Sequence, residues 1–390
     1  MSKKVFKHKT AKIYLEPDGF SIHTFELSTE LSPSEWNKCK DRLYTEQKHS
    51  HEIWIYSDKS HKDLHICTRY ANAGIRIYLQ HTSGRKGSHR YYVRMIVNPR
   101  RLIYPQSGYL GILPPDDSST ELLEQTFRHL FRKSPFEKDI RKYYLTRVDL
   151  CTNIRCDNKK VFRELVRLLR KTATPKKYER KFYQHTNKKK ANLYNKHYIR
   201  IACGAQELVI YDKTYQMNEN DLAVAYENLS SGVLRIEVHY EQDKLRCLEK
   251  ENKTDDPLDL LWLLMQQSKP RICELVKKCY PDQPYLSYRD GLAAIDSNNK
   301  FSQSAKEAMR TLLTEMQRKQ TIDKAFQAME KQGIKTDGLL DKFRRLGINP
   351  IPLREGYGAK RMPSLTSILQ TVGNPDKSSV TIDLSYQKWK

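Results

Sequence analysis

The first hundred residues are built from short apolar runs at strand length. Segments 52–56 (EIWIY), 74–79 (GIRIYL) and 91–97 (YYVRMIV) are rich in β-branched and aromatic residues and predict strands. Pro99, Pro105, Pro114 and Pro115 then break the run of strands. After them the period changes. Leu122, Leu123, Phe127, Leu130 and Phe131 share one helical face, and Ser118 with Glu121 has capping-box spacing, so a helix is expected from Ser118. Segment 143–154 (YYLTRVDLCTNI) predicts a strand. Asp157 is placed to cap a helix carrying Val161, Phe162, Leu165, Val166, Leu168 and Leu169. Two more strands are expected at 207–211 (ELVIY) and 233–240 (VLRIEVHY).

Beyond residue 250 the pattern becomes helical. Helices are expected at 257–265, 270–279, 303–331 and 337–346, the last ending at Gly347 as a C-cap. From Pro350 the chain mixes Gly, Pro and Ser, with one late strand-like run, SVTIDLSY, and reads as a partly disordered tail. No internal repeat is visible. The element order predicts an α+β fold. Its core, 1–250, is an antiparallel sheet with helices on one face, followed by a helical domain over 251–350 and the tail 351–390.

Composition adds a partner. The 390 residues hold 70 Lys+Arg against 46 Asp+Glu, a net charge of +24. Such self-repulsion is relieved by a polyanion, and nucleic acid is the common one. No apolar run approaches the ~18 residues of a membrane span. The N-terminus MSKKVFKHKT lacks the apolar core of a signal peptide. The eight cysteines form no C-x-x-C pair. They read as reduced thiols of a cytoplasm-like compartment, not as a zinc site. Segment 171–200 holds ten Lys/Arg and one acid, with Tyr178, Phe182, Tyr183, Tyr194 and Tyr198 between them. Cations hold phosphates while rings stack on unpaired bases. Lys176, Lys177, Tyr178, Arg180, Lys181, Lys188, Lys189 and Lys190 are the candidate DNA contacts.

Strand alternation supplies candidate chemistry. In 234–240, Leu234, Ile236, Val238 and Tyr240 share one face and Arg235, Glu237 and His239 the other. In 143–154, Asp149 shares its side with Cys151 and Asn153. If the two strands are neighbours, Asp149, Glu237 and His239 converge. Two carboxylates and an imidazole suit Mg²⁺ or Mn²⁺, and the same pattern also describes a solvated face with ion pairs. Tyr211 ends an apolar strand between Ile210 and Asp212-Lys213, and Tyr215 follows one helical turn later. Tyrosine can be a covalent nucleophile in phosphoryl transfer, and Lys213 could steady the developing charge.

The order Arg147-Val148-Asp149-Leu150, Ile210-Tyr211-Asp212-Lys213, Leu234-Arg235-Ile236-Glu237-Val238 resembles the replication initiation factor family, over about 140–245, with a fainter echo at Arg345-Leu346-Gly347-Ile348-Asn349-Pro350. That family comprises rolling-circle initiators of plasmids and the relaxases of integrative elements, and is related to filamentous-phage replication endonucleases. The resemblance implies an HUH-related nuclease core in two β-rich halves. It also implies metal-dependent nicking and rejoining of one DNA strand at an origin through a 5′-phosphotyrosine. Asp149 and Glu237 would be metal ligands, with His239 beside them; Tyr211 would be the nucleophile, Lys213 a supporting cation and Tyr215 a second tyrosine. Asn153 stands where some relatives carry a second acid. The expected partners are origin, hairpin or single-stranded DNA, a second copy in a homodimer, and a host helicase or polymerase; the setting is a bacterial cytoplasm. Two other readings stay open: a conjugative relaxase with the same chemistry, and a nucleic-acid-binding protein without catalysis. A competing assignment uses His49-Ser50-His51 as a metal motif and Tyr178-Glu179-Arg180-Lys181 as a nucleophile motif.

Overall fold

A 22-residue strand, β1 (Thr10–Leu31), runs through the centre of the molecule. Its sequence hides it. Pro17 offers no amide hydrogen and Gly19 takes φ 68°, and the register with its neighbour slips between Leu15 and Phe20. The structure, a computed structural model, describes residues 10–49, 55–58, 61–83, 89–108, 110–219 and 232–384.

After β1 come α1 (Pro33–His49), β2 (Ile55–Asp58), β3 (His61–Cys67), β4 (Ile75–Ser83) and β5 (His89–Val97). Next are two helices, α2 (Pro99–Ile103) and α3 (Ser118–Leu130). A second long strand, β6 (Tyr144–Cys156), leads into α4 (Lys159–Lys171), β7 (Glu179–Lys181), α5 (Lys188–His197) and β8 (Tyr198–Cys203). Then come β9 (Gln206–Asp212), α6 (Lys213–Glu219) and β10 (Gly232–Glu241). Two caps differ from expectation. Asn158, not Asp157, caps α4, because its side chain reaches the amides of Lys160 and Val161 while Asp157 accepts from the Lys12 amide. The capping box at Ser118 does not form: Ser118 is already helical and donates to Asp116, and Glu121 accepts from Gln125.

These strands form one antiparallel sheet, ordered β2-β3-β4-β5-β1-β6-β10-β9-β8-β7. β1 and β6 pair at the centre, and the two halves mirror each other: long strand, helix, then four strands returning to pair with it. The sequence shows no repeat, but the architecture is a duplicated unit. One face of β6 and β10 presents Val148, Leu150, Ile154, Leu234, Ile236 and Val238, all buried in the core that α4 and the C-terminal helices close. The other face carries the polar residues.

The C-terminal region is not set apart from the sheet. α7 (Gln242–Asn252), α8 (Pro257–Gln266) and α9 (Ser268–Cys279) contact the central strands β1, β6 and β10. Beyond them lie β11 (Tyr285–Leu286), α10 (Tyr288–Ser297), α11 (Gln303–Arg318), α12 (Ile322–Glu330) and α13 (Leu339–Leu346). The single helix expected at 303–331 is two: the backbone turns extended at Lys319, the C-cap of the first, and Thr321 caps the second through the Lys324 amide. The expectation of a partly disordered tail is corrected over 351–384. β12 (Arg361–Met362) pairs with β11, α14 (Leu365–Val372) packs on α9, and β13 (Ser379–Asp383) pairs with β1. Leu365, Ile368, Leu369, Val372 and Ile382 are buried there, enough apolar area to hold the segment down.

Candidate functional site

The register of β6, β10 and β9 decides which polar residues meet. His239 stands opposite Asp149 on one side and Glu207 on the other. Arg235 stands between Asn153 and Tyr211, and Glu237 opposite Cys151. A second slip in β1, between Ile22 and Thr24, turns His23 toward the same cluster. Asp149, Tyr211, Lys213, Arg235, Glu237 and His239 are each at most 6 % exposed. Buried charges are costly unless paired, so the pairing is the site's defining property.

Glu237 is the hub. Its Oε1 accepts from the Tyr211 hydroxyl at 3.0 Å and lies 3.3 Å from His23 Nδ1. Its Oε2 is 3.0 Å from His239 Nε2. Arg147 grips Asp149 by both oxygens, at 2.7 and 3.0 Å. His239 also lies 3.7 Å from Asp149 and 3.6 Å from Glu207, whose carboxylate is held bidentately by Arg200. Arg235 donates to Asn153 Oδ1 and to the Leu110 carbonyl, both at 2.7 Å, so Asn153 serves as an arginine anchor.

Burial and these partners displace the ionisations. Burial, aided by Glu237, pushes the Tyr211 phenol well above its ordinary value. Burial also raises Asp149 against the pull of His239 and Arg147. It would raise Glu237 too, but hydrogen bonds from His23 and His239 hold that carboxyl well below the usual range. Desolvation lowers His239, yet Asp149, Glu207 and Glu237 outweigh it and push the imidazole up to about 9. Arg147 Nη2 stands 3.1 Å from His239 Nδ1, a contact that suits a neutral ring. The three carboxylates outweigh that one guanidinium, and the balance favours the imidazolium. His23 is lowered to about 4 by burial and then by Arg235. Lys213 is lowered to about 7 by the same two causes.

Asp149, Glu237, His239, Tyr211 and Lys213 thus occupy one neighbourhood. Tyr215 does not face Glu237: its ring stacks on His197 at 3.6 Å, and His197 Nδ1 lies 3.1 Å from Asp212. Among the described residues no group of three or more His, Cys, Asp or Glu side chains is arranged to hold a metal ion. The donor types suit Mg²⁺ or Mn²⁺, but the arrangement does not. Arg147 takes the Asp149 oxygens, while Tyr211, His23 and His239 take those of Glu237.

The basic segment is uneven. Lys176, Lys177, Lys181, Lys188, Lys189 and Lys190 are exposed. Arg180 is spent on the carbonyls of Arg170 and Thr172, and Tyr178 packs half-buried against the core, which removes the competing Tyr178–Lys181 motif from the polar face. Of the histidine motif, Ser50 and His51 lie outside the described residues. The three lysines that open α5 sit at the positive end of its dipole, an unfavourable placement that solvent screens.

The sequence pattern did not single out His23 or Glu207. His23 reaches the site only through the slip in β1, and Glu207 only through its cross-strand position. No helix among the described residues is long and apolar enough to cross a membrane. No protein-family model matches the chain. A search of curated proteins likewise finds no significant match.

Proposed function

We propose that the chain is a DNA nicking-and-joining endonuclease of the rolling-circle initiator kind, with Tyr211 as its nucleophile. The observation that carries this reading is the Tyr211 hydroxyl donated to Glu237 at 3.0 Å inside a buried row of ionisable groups. A phenol is a weak nucleophile until its proton has a destination. Here Glu237 accepts that proton, with its geometry fixed by His23 and His239. The Tyr211 oxygen then bonds to phosphorus as the bond to the 3′-oxygen breaks. Lys213, at about 7, supplies positive charge to the phosphate and a proton to the leaving oxygen. Rejoining reverses these transfers. Exposed lysines of 176–190 hold the flanking phosphates. A relaxase would use the same steps.

Two observations favour the non-catalytic reading: Tyr211 is buried with its phenol raised rather than lowered, and Glu237 is held well below the usual carboxylate range, which makes it a weak acceptor for the phenol's proton. The deciding experiment incubates the full-length protein with supercoiled and single-stranded origin DNA, with and without Mg²⁺ or Mn²⁺. The expected result is nicked DNA bearing a covalent 5′ adduct, absent in Tyr211→Phe and reduced roughly 10²–10⁴-fold in Glu237→Gln. An adduct that survives Tyr211→Phe moves the nucleophile elsewhere. Tight binding with no nicking under any ion condition establishes the non-catalytic reading.

A further inference from the structure

Four tyrosines form a column from the buried site to the surface. Tyr211 stacks on Tyr198 with centroids 4.9 Å apart and rings 12° from parallel. Tyr198 stacks on Tyr194 at 3.8 Å and 3°, and Tyr194 meets Tyr183 at 4.5 Å. Strand pairing sets the inner end, since Tyr198 stands opposite Tyr211 across β8 and β9. The outer end is built as firmly. Asn195 donates to the Tyr183 carbonyl at 3.0 Å and accepts from its amide at 2.9 Å, clamping that residue between β7 and α5.

The column ends in open rings. Phe182 is 64 % exposed and Tyr183 39 %. An aromatic ring left as open to water as Phe182 gains little from folding. The same segment carries the exposed Lys181, Lys188, Lys189, Lys190 and Lys196, with Glu179 as its one acid. Phosphates and flat, uncharged faces are what this surface complements, and single-stranded nucleic acid offers both because its bases are not stacked in a duplex.

We propose that Phe182 and Tyr183 form a base-stacking ledge that holds an unpaired nucleotide of single-stranded DNA at the surface end of the tyrosine column whose buried end is Tyr211. The choice of DNA rests on the nicking reading of the Tyr211 site. The column narrows the set of rings in this segment that can meet a base. Tyr194 and Tyr198 each have tyrosine rings on two sides and Tyr178 packs half-buried against the core, so Phe182 and Tyr183, at the end of the column, remain for bases.

The test titrates full-length Tyr211→Phe protein, which keeps nicking out of the measurement, with labelled oligothymidine, an abasic strand of the same length, oligouridine and heparin. Phe182→Ala and Tyr183→Ala are each expected to weaken oligothymidine binding roughly five- to a hundred-fold, leaving heparin binding within about two-fold. Phe182→Trp and Tyr183→Phe are expected to restore it. The abasic strand is expected to bind wild-type rings and alanine variants alike. Equal losses for heparin and oligothymidine, or no loss at all, overturn the ledge. Tighter binding of oligouridine overturns the assignment to DNA. A failed ledge with intact Tyr211-dependent nicking leaves the proposed function standing, and an intact ledge without nicking sinks only that function.

Discussion

Lys213 concentrates the strain of the site in one side chain. It is buried, donates to Gln216, and lies near Arg235, whose charge adds to the desolvation that lowers it to about 7. Between about pH 7 and its ordinary value near 10.5, the unfolded chain therefore binds more protons at this position than the folded one. Folding stability should rise with pH through that window and level off below it. Lys213→Met removes the buried charge and should stabilise the protein at pH 7 by about 1–4 kcal/mol, while flattening this rise. Urea midpoints at neutral and alkaline pH check both, and an unchanged slope in the variant places the pH dependence elsewhere. Lys213 was legible because it follows the Tyr-Asp of an apolar strand. Asp149, Glu237 and His239 were legible because strands alternate with a period of two. His23 was not, since a slip in register leaves no period to read.

At the scale of elements, the crossing of α4 over β10 turns on one close approach. A Cβ on Gly232, where β10 begins, would lie 2.2–2.6 Å from ring atoms of Phe162 on α4. Gly232→Ala must push that ring out of the core and should cost about 1–3 kcal/mol. Phe162→Leu trims the ring, and the double variant should lose less stability than the two single losses added together. Strictly additive losses, measured by urea unfolding, would show that the two side chains do not meet. Elements with an unbroken period, such as β6, α4, β9, β10 and α8, were legible in outline. β1 was not, because Pro17 and Gly19 interrupt the pattern where its register slips. The duplication of the sheet was equally hidden. Mirror-related strands share a path and not a sequence: the row around Glu237 has as its counterpart across β1 and β6 an Arg94–Glu26 ion pair with Arg94 over the Tyr78 ring.

The whole molecule joins a net charge of +24 to one continuous core. The change to a helical pattern beyond residue 250 suggested a separate domain there, and that reading overlooked how much apolar surface the last 140 residues return to the sheet. α8 and α9 cover the central strands, and β13 adds a strand to β1. Glu164 on α4 reaches further still, pairing with Arg167 and accepting from the Arg354 amide at 2.9 Å. A sheet core ending at residue 250 would expose the apolar faces of β1, β6 and β10 and leave the β1 edge open, which invites aggregation. A chain truncated after residue 250 is therefore expected to be insoluble, or to lack a cooperative unfolding transition, and to lack both the proposed nicking and the proposed ledge binding. The full-length protein should unfold in one transition by circular dichroism, with limited proteolysis yielding no stable 1–250 fragment. A soluble, cooperative 1–250 fragment that still binds oligothymidine would show that the C-terminal helices are an accessory and that the sheet buries its own core.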